Sequence, residues 1–162
     1  MIAGLSIDNF TNLHVAISLV GIVSGLIVLA GMLRARRLPG WTALFLVTTI
    51  LTSVTGFMFP ISGLTPAIVF GLISIVILVI ALNALYVKHL AGAWRWIYVT
   101  TALIALYLNV FVLIVQSFQK VPALQKLAPT QSEPPFSVTQ GVILVAFLIL
   151  GIMAARRFRP TS

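Results

Sequence analysis

The chain has 162 residues, of which 60% are hydrophobic and only 7% are charged, a composition that excludes a soluble globular domain. It has no cysteine, which excludes disulfides, thiolate chemistry and cysteine-ligated metal sites. The formal net charge of +8 would point to nucleic acid in a soluble protein, but here we predict no nucleic-acid partner and interpret the charge as a signal of membrane topology.

Five uncharged stretches follow one another along the chain, each long enough to cross ~30 Å of hydrocarbon as an α-helix. We predict an all-α fold, a polytopic transmembrane helical bundle that forms one domain over 1–162. Its spans are expected at about 12–33, 41–59, 66–87, 96–118 and 137–155. The prolines lie in loops or at borders, as uninterrupted membrane helices require. The first residues do not resemble a cleaved signal peptide, so we expect the first span to be retained.

The basic residues are divided unequally between the two sides of these spans. Lys120 and Lys126 lie on one side, with both acidic residues, Asp8 and Glu133. Eight lie on the other side: Arg34, Arg36, Arg37, Lys88, Arg95, Arg156, Arg157 and Arg159. The positive-inside rule then predicts an N-terminus outside and a C-terminus in the cytoplasm.

Four of the spans carry small or polar residues at helical spacing. In the first span, His14, Ser18, Gly21 and Gly25 share one face. The next three spans add hydroxyl, small and amide side chains: Thr48, Thr49, Thr52, Ser53, Thr55, Ala67, Gly71, Ser74, Asn109 and Gln116. Such faces let membrane helices pack closely and satisfy hydrogen bonds, so helix packing is one interpretation.

A binding site in the outer half of the membrane is the other interpretation. His14 is the only histidine within a span, and an ionisable group inside a membrane suggests a functional role. The candidate ligand-binding residues are His14, Ser18, Thr52, Thr55, Asn109, Gln116 and Glu133. They suggest a small integral membrane protein of binding or assembly type, which holds a lipophilic ligand or lipid in an outer-leaflet cleft under the 119–136 loop. Membrane lipids are the expected partners. The sequence leaves open whether the protein forms a homo-oligomer or binds another membrane protein.

The alternative function is a membrane redox or carrier component that binds quinone or haem near His14. His14 and His89 are predicted on opposite sides of the bilayer, so one chain cannot ligate one haem through both, although a parallel dimer could offer two copies of His14. Apart from this alternative, no cofactor and no metal site is predicted. The spans contain no carboxylate for proton-coupled transport and no catalytic constellation, so we predict no catalytic residues and favour a protein that is not an enzyme.

The loop at 119–136 is polar and rich in proline, unlike the rest of the chain. We predict that it caps the cluster of His14, Asn109 and Gln116. Ser137-x-x-Gln140 has the form of a capping box that opens the fifth helix, with Glu133 just before the helix N-terminus and Lys120 and Lys126 as its partners. Earlier in the chain, residues 61–64 are predicted to form a turn, and Thr65-Pro66 to start the third helix.

Four stretches give the chain a resemblance to known sequences: "TSVTGFMFP" (52–60), "LAGAWRWIYV" (90–99), "ALYLNVFVLIVQ" (105–116) and "KVPALQKLAPTQSEPPF" (120–136). Together they resemble a group of small uncharacterised bacterial integral membrane proteins, over most of the chain. The resemblance implies location in the bacterial cytoplasmic (inner) membrane, and it implies no activity for any residue.

Overall fold

The computed structural model describes residues 1–60 and 63–159. The described residues form six α-helices, one π-helical turn and no strand. The helices are α1 (Ile7–Leu33), α2 (Pro39–Phe57), α3 (Pro66–Leu82), α4 (Trp94–Lys120), α5 (Pro122–Leu127) and α6 (Pro134–Arg157). Five of them are long and apolar enough to cross a membrane, which confirms the predicted all-α bundle of five spans. The sixth, α5, is a short helix inside the predicted loop. The predicted turn at 61–64 lies partly outside the described residues, and Pro160 lies outside them.

Several helices begin or end beyond the predicted spans because local caps extend them. The helix α1 begins at Ile7, where the Ser6 side chain accepts a hydrogen bond from the Asn9 amide at 3.3 Å. The start of α3 is as predicted, with Pro66 in the first turn and the Thr65 hydroxyl accepting from the Ile68 amide at 3.4 Å.

The predicted capping box of the fifth span is wrong. The helix α6 begins at Pro134, one turn earlier, with Glu133 as its N-cap residue. Proline is favoured in the first turn of a helix, so Pro134 and Pro135 fix the start there. As a result Gln140 is a buried residue of the helix interior, and its Nε2 donates a hydrogen bond to the Phe111 carbonyl of α4 at 3.2 Å.

The end of the third span widens into a π turn over Asn83–Val87. The Lys88 amide donates to the Asn83 carbonyl at 2.9 Å, and the Leu90 amide to the Ala84 carbonyl at 3.0 Å. His89 and Leu90 both have positive φ in the reversal that follows. This tight connection brings the start of α4 directly back against the end of α3.

Helix α4 lies at the centre of the bundle and packs against α1, α2, α3 and α6. The first two helices approach closely at Gly25, where an added Cβ would lie 2.6 Å from Leu106 Cδ1 and 2.9 Å from the Phe45 ring. The predicted packing role of the glycine face in α1 is therefore borne out within one chain. Helix α3 packs on α2 and α4, and α6 packs on α1 and α4, so α3 and α6 flank α4 on either side.

Three aromatic pairs join α4 to α6, and we call this contact the α4–α6 seam. Phe118 pairs with Phe136, Tyr107 with Phe147, and Tyr98 with Phe158, at centroid distances of 5.4, 5.5 and 6.2 Å. The α6 members recur every eleven residues, which is close to three helical turns and places them on one face. The seam holds α6, most of whose remaining surface is exposed.

The bundle has two chemically different ends. The eight basic residues named above lie at one, which we call the basic end; the start of α1 and the 119–136 loop lie at the other, the loop end. Arg95 anchors the basic end, because its Nη1 donates to the carbonyls of Ala155 and Phe158 at 3.1 and 2.6 Å. A cation is favourable at the C-terminus of a helix such as α6.

Candidate functional site

The sequence-predicted site residues do not form one cluster in the structure. One pair is joined directly: His14 Nδ1 lies 2.7 Å from Thr55 Oγ1, between α1 and α2 at the loop end. The Thr55 hydroxyl also donates to the Leu51 carbonyl at 2.6 Å. If the Thr55 proton serves the Leu51 carbonyl, the His14 Nδ1–H donates to Thr55 and Nε2 is the acceptor nitrogen of the ring.

Aromatic side chains fix the His14 ring further. It meets Phe59 edge-on at 5.4 Å between centroids, and Phe59 in turn meets Phe10 at 5.1 Å. Gly56 lies beside the ring, where an added Cβ would be in ordinary van der Waals contact with His14 Cε1 at 3.8 Å. His14 is therefore a well-oriented residue in the α1–α2 contact.

Ser18 and Thr52 satisfy their own hydroxyls within their helices. The Ser18 hydroxyl donates to the His14 carbonyl at 2.7 Å, and the Thr52 hydroxyl to the Thr48 carbonyl at 2.8 Å. This local bonding is common for Ser and Thr in helices, and it leaves neither proton for a ligand.

Asn109 and Gln116 share a face of α4 but have different surroundings. The Asn109 amide donates to the buried Thr49 hydroxyl of α2 at 3.2 Å. Gln116, two turns nearer the loop end, is exposed. The structure thus brings Asn109 to α2 and does not bring it to His14.

Glu133 is bound within its own loop. Its carboxylate accepts hydrogen bonds from the Thr130 amide at 3.2 Å, the Thr130 hydroxyl at 2.9 Å and the Ser132 amide at 3.1 Å. Desolvation acts to raise the pKa of the Glu133 carboxyl, but these hydrogen bonds to the charged form outweigh it and the pKa is lowered. Partners within the loop therefore take the place predicted for Lys120 and Lys126.

The 119–136 loop is fastened to the end of α4. The side-chain Nε2 of Gln131 donates to the Val115 carbonyl at 2.9 Å. The side-chain Nε2 of Gln119 donates to Gln131 Oε1 at 3.3 Å. The Phe118–Phe136 pair lies next to these bonds. The contacts described for the loop therefore place it over the loop end of the α4–α6 seam.

Gln140 is the residue that sequence reasoning missed as a site candidate. It is only 9% exposed, and its Oε1 is a buried acceptor without a hydrogen-bond partner among the described residues. A signal was present in the sequence, because Phe136, Gln140 and Phe147 have the spacing of one helix face. A single amide on an otherwise aromatic face is a candidate for a directed polar contact.

The fold and these contacts define a small helical bundle suited to a membrane, with a polar, internally bonded α1–α2 contact and an amide in the aromatic α4–α6 seam. Among the described residues, no group of three or more His, Asp or Glu side chains could hold a metal ion. No protein-family model, no curated protein and no solved structure matches this chain.

Proposed function

We propose that this protein is a small integral membrane binding protein, which holds a lipophilic molecule with a hydrogen-bond donor beside the α4–α6 seam. The observation that carries the proposal is the unpartnered Gln140 Oε1. Leaving a buried acceptor unpaired costs about 1–3 kcal/mol, and hydrocarbon offers no water to relieve it. A ligand with a donor would remove this cost.

A ligand would reach Gln140 from the lipid along the side of α4 that carries Tyr107 and Phe111. Helices α3 and α6 both pack on α4, and Ile104 on this side is 39% exposed. A run of rings crosses the same side, from Phe70 through Phe111 and Tyr107 to Phe147, at centroid distances of 5.2, 6.2 and 5.5 Å. An apolar body would lie on these rings, and its polar group would meet Gln140 Oε1 once the side chains that enclose this atom shift.

The 119–136 loop covers the same side of α4 at the loop end of the bundle. Ile104, Tyr107, Phe111, Val115 and Phe118 follow one another at intervals of three or four residues, so they share a side of α4. The loop binds this side at Val115 and packs on it at Phe118. This supports the outer-leaflet cleft under residues 119–136, with the seam rather than His14 as its wall.

The chemistry of Gln140 limits the ligand. One of its two Nε2 hydrogens is engaged by the Phe111 carbonyl, and Oε1 is the atom without a partner, so a ligand that satisfies it must donate. A hydroxyl-bearing lipid or a quinol meets this requirement, whereas a purely hydrocarbon molecule does not. We place the protein in the bacterial cytoplasmic membrane with the loop end outside, which the concentration of basic residues at the other end supports.

Extraction of the purified protein followed by lipid mass spectrometry tests the proposal. Gln140→Leu removes the acceptor at similar volume and should lower the co-purifying ligand about tenfold, which corresponds to ~1.4 kcal/mol. The matched control is Gln116→Leu, which removes an exposed amide of α4 and should retain the ligand. Equal retention by wild type and Gln140→Leu, or loss in both variants, would contradict the proposal.

A second candidate is the redox or carrier component that binds haem or quinone near His14. The Thr55 contact favours it, because a hydrogen bond at Nδ1 orients a histidine whose other nitrogen serves as a ligand or acceptor. Purified protein should then show a Soret band or a quinone absorption that His14→Ala abolishes. A preparation that shows neither absorption would exclude this candidate and leave the seam proposal standing.

A further inference from the structure

A small cavity of about 50 Å³ lies at the basic end, where Tyr98 and Phe158 close the seam, and at the opposite end of the bundle from Gln140 and the His14 pair. It is bounded by the α1–α2 connection, the π turn, the first turns of α4 and Phe158. Its polar lining comes from Arg36, Arg37, Thr42, Tyr86 and Tyr98. This volume holds a small polar group, since one water requires about 10–15 Å³ on the same scale.

Two basic side chains give the cavity a positive lining. Arg36 and Arg37 line it, and both acidic side chains of the chain, Asp8 and Glu133, belong to the opposite end. The start of α2 adds to the field, because Pro39 and Thr42 line the cavity in the first turn of that helix. No side chain caps this turn, so free backbone N–H groups and the positive end of the helix dipole are available there.

Tyr98 adds a hydroxyl to the same lining. The residue is only 2% exposed and lines the cavity, with the Thr42 side chain beside its hydroxyl. A buried tyrosine hydroxyl usually finds a hydrogen-bond partner. Tyr98 and Thr42 line the cavity together with Arg36 and Arg37, so an anion with several acceptor oxygens would bring these donors together.

We infer that this cavity binds a phosphate group, supplied by an anionic lipid headgroup or by free phosphate. Guanidinium groups match phosphate oxygens in pairs, and helix N-termini bind phosphate through backbone N–H groups. Val28, Met32 and Leu85 supply the apolar part of the lining. This inference does not depend on the seam proposal, because it concerns the other end of the bundle.

Native mass spectrometry of the full chain in maltoside micelles tests the inference with three added ligands: phosphatidylglycerol, diacylglycerol and inorganic phosphate. Wild type should bind phosphatidylglycerol at least about tenfold more tightly than diacylglycerol, the expected gain for charged hydrogen bonds. Phosphate that competes for the site at millimolar concentration would identify the free anion as a ligand too. Failure of phosphate to compete would assign the lipid headgroup alone.

Two double variants distinguish specific binding in the cavity from a general electrostatic attraction of anionic lipid to the basic end. Arg36→Gln with Arg37→Gln should weaken phosphatidylglycerol binding about tenfold, and Tyr98→Phe should weaken it several-fold while the fold is kept. The control is Arg156→Gln with Arg157→Gln, which removes the same charge from the same end outside the cavity lining. Equal losses in the two double variants would overturn the inference, as would equal binding of phosphatidylglycerol and diacylglycerol by wild type.

Discussion

At the scale of single residues, most polar side chains of the spans are satisfied by one neighbour or by their own helix. His14 bonds Thr55 and Asn109 bonds Thr49, whereas the Ser18 hydroxyl bonds the His14 carbonyl one turn earlier in its own helix. Hydrogen bonds between membrane helices contribute only about 0.6 kcal/mol on average, up to ~1.7. These contacts therefore fix helix register more than they supply stability.

The His14–Thr55 contact should show a measurable coupling energy. In a double-mutant cycle with His14→Phe and Thr55→Val, we expect about 0.5–1.7 kcal/mol from unfolding in mixed detergent micelles. Phenylalanine keeps the ring packing on Phe59, so the cycle isolates the hydrogen bond. Ser18→Ala serves as control and should show no coupling to Thr55, since its hydroxyl bonds the His14 backbone. A zero coupling for His14 and Thr55 would show that the contact is not formed.

Glu133 should make the loop sensitive to acid. Its pKa is lowered in the folded protein, so its contribution is complete above the ordinary pKa of a glutamic acid and is lost as pH falls through the lowered value. Hydrogen exchange of the Thr130 and Ser132 amides, corrected for intrinsic rates, should lose protection over that window. Glu133→Gln should remove the pH dependence. Unchanged protection across the window in wild type would contradict this.

The polar face of α1 around His14 could be predicted from the sequence, but the burial of Gln140 inside α6 could not. Ser137-x-x-Gln140 fits a capping box in sequence, and the same spacing also occurs one turn inside a helix. Only the placement of Pro134 in the first turn decides between the two. The partners of Glu133 were missed for a related reason, because short-range loop bonds outcompete lysines that must give up side-chain entropy.

At the scale of helices, the five spans were predictable because apolar length is a strong signal. The ends of the spans were less predictable. Helix α1 extends to Ile7 through the Ser6 cap, and the third span ends in a π turn. The helix α5 was not predicted, since six residues in a proline-rich loop carry little periodicity. Which helix lies at the centre also could not be predicted from hydropathy, which treats all spans alike.

Close helix packing at Gly25 should be intolerant of even one methyl group. Gly25→Ala places a Cβ against Leu106 and the fully buried Phe45, so we expect a loss of about 1–3 kcal/mol in unfolding free energy. Gly141→Ala is the matched control, because a Cβ there meets nothing within 4 Å, and it should be neutral or slightly stabilising. Similar effects of the two substitutions would argue against the α1–α2–α4 contact described here.

At the scale of the whole molecule, the two ends differ in charge, and this difference underlies the proposed orientation. The chain has no native cysteine, so single cysteines report on each end cleanly. Ser132→Cys in the loop should react with a membrane-impermeant maleimide in intact cells, whereas Ala35→Cys at the basic end should react only after lysis. The reverse pattern would invert the topology and place Gln140 in the inner leaflet.

The same asymmetry separates the two proposed ligands. The loop end offers a neutral acceptor, Gln140 Oε1, among aromatic rings, and the basic end offers arginines around a polar cavity. A neutral lipophilic donor suits the first and a phosphate suits the second. A bundle of this size can present both because α4 runs through the centre and contributes a wall to each.

Binding beside Gln140 is the central claim, and the density around that side chain in an experimental structure determined in lipid nanodiscs tests it most directly. We predict non-protein density between α3 and α6, with a polar atom within hydrogen-bond distance of Gln140 Oε1, about 2.7–3.2 Å. Gln140→Leu should remove that density, while Gln116→Leu should leave it. A Gln140 side chain satisfied entirely by protein groups, with only disordered lipid at the seam, would contradict the claim.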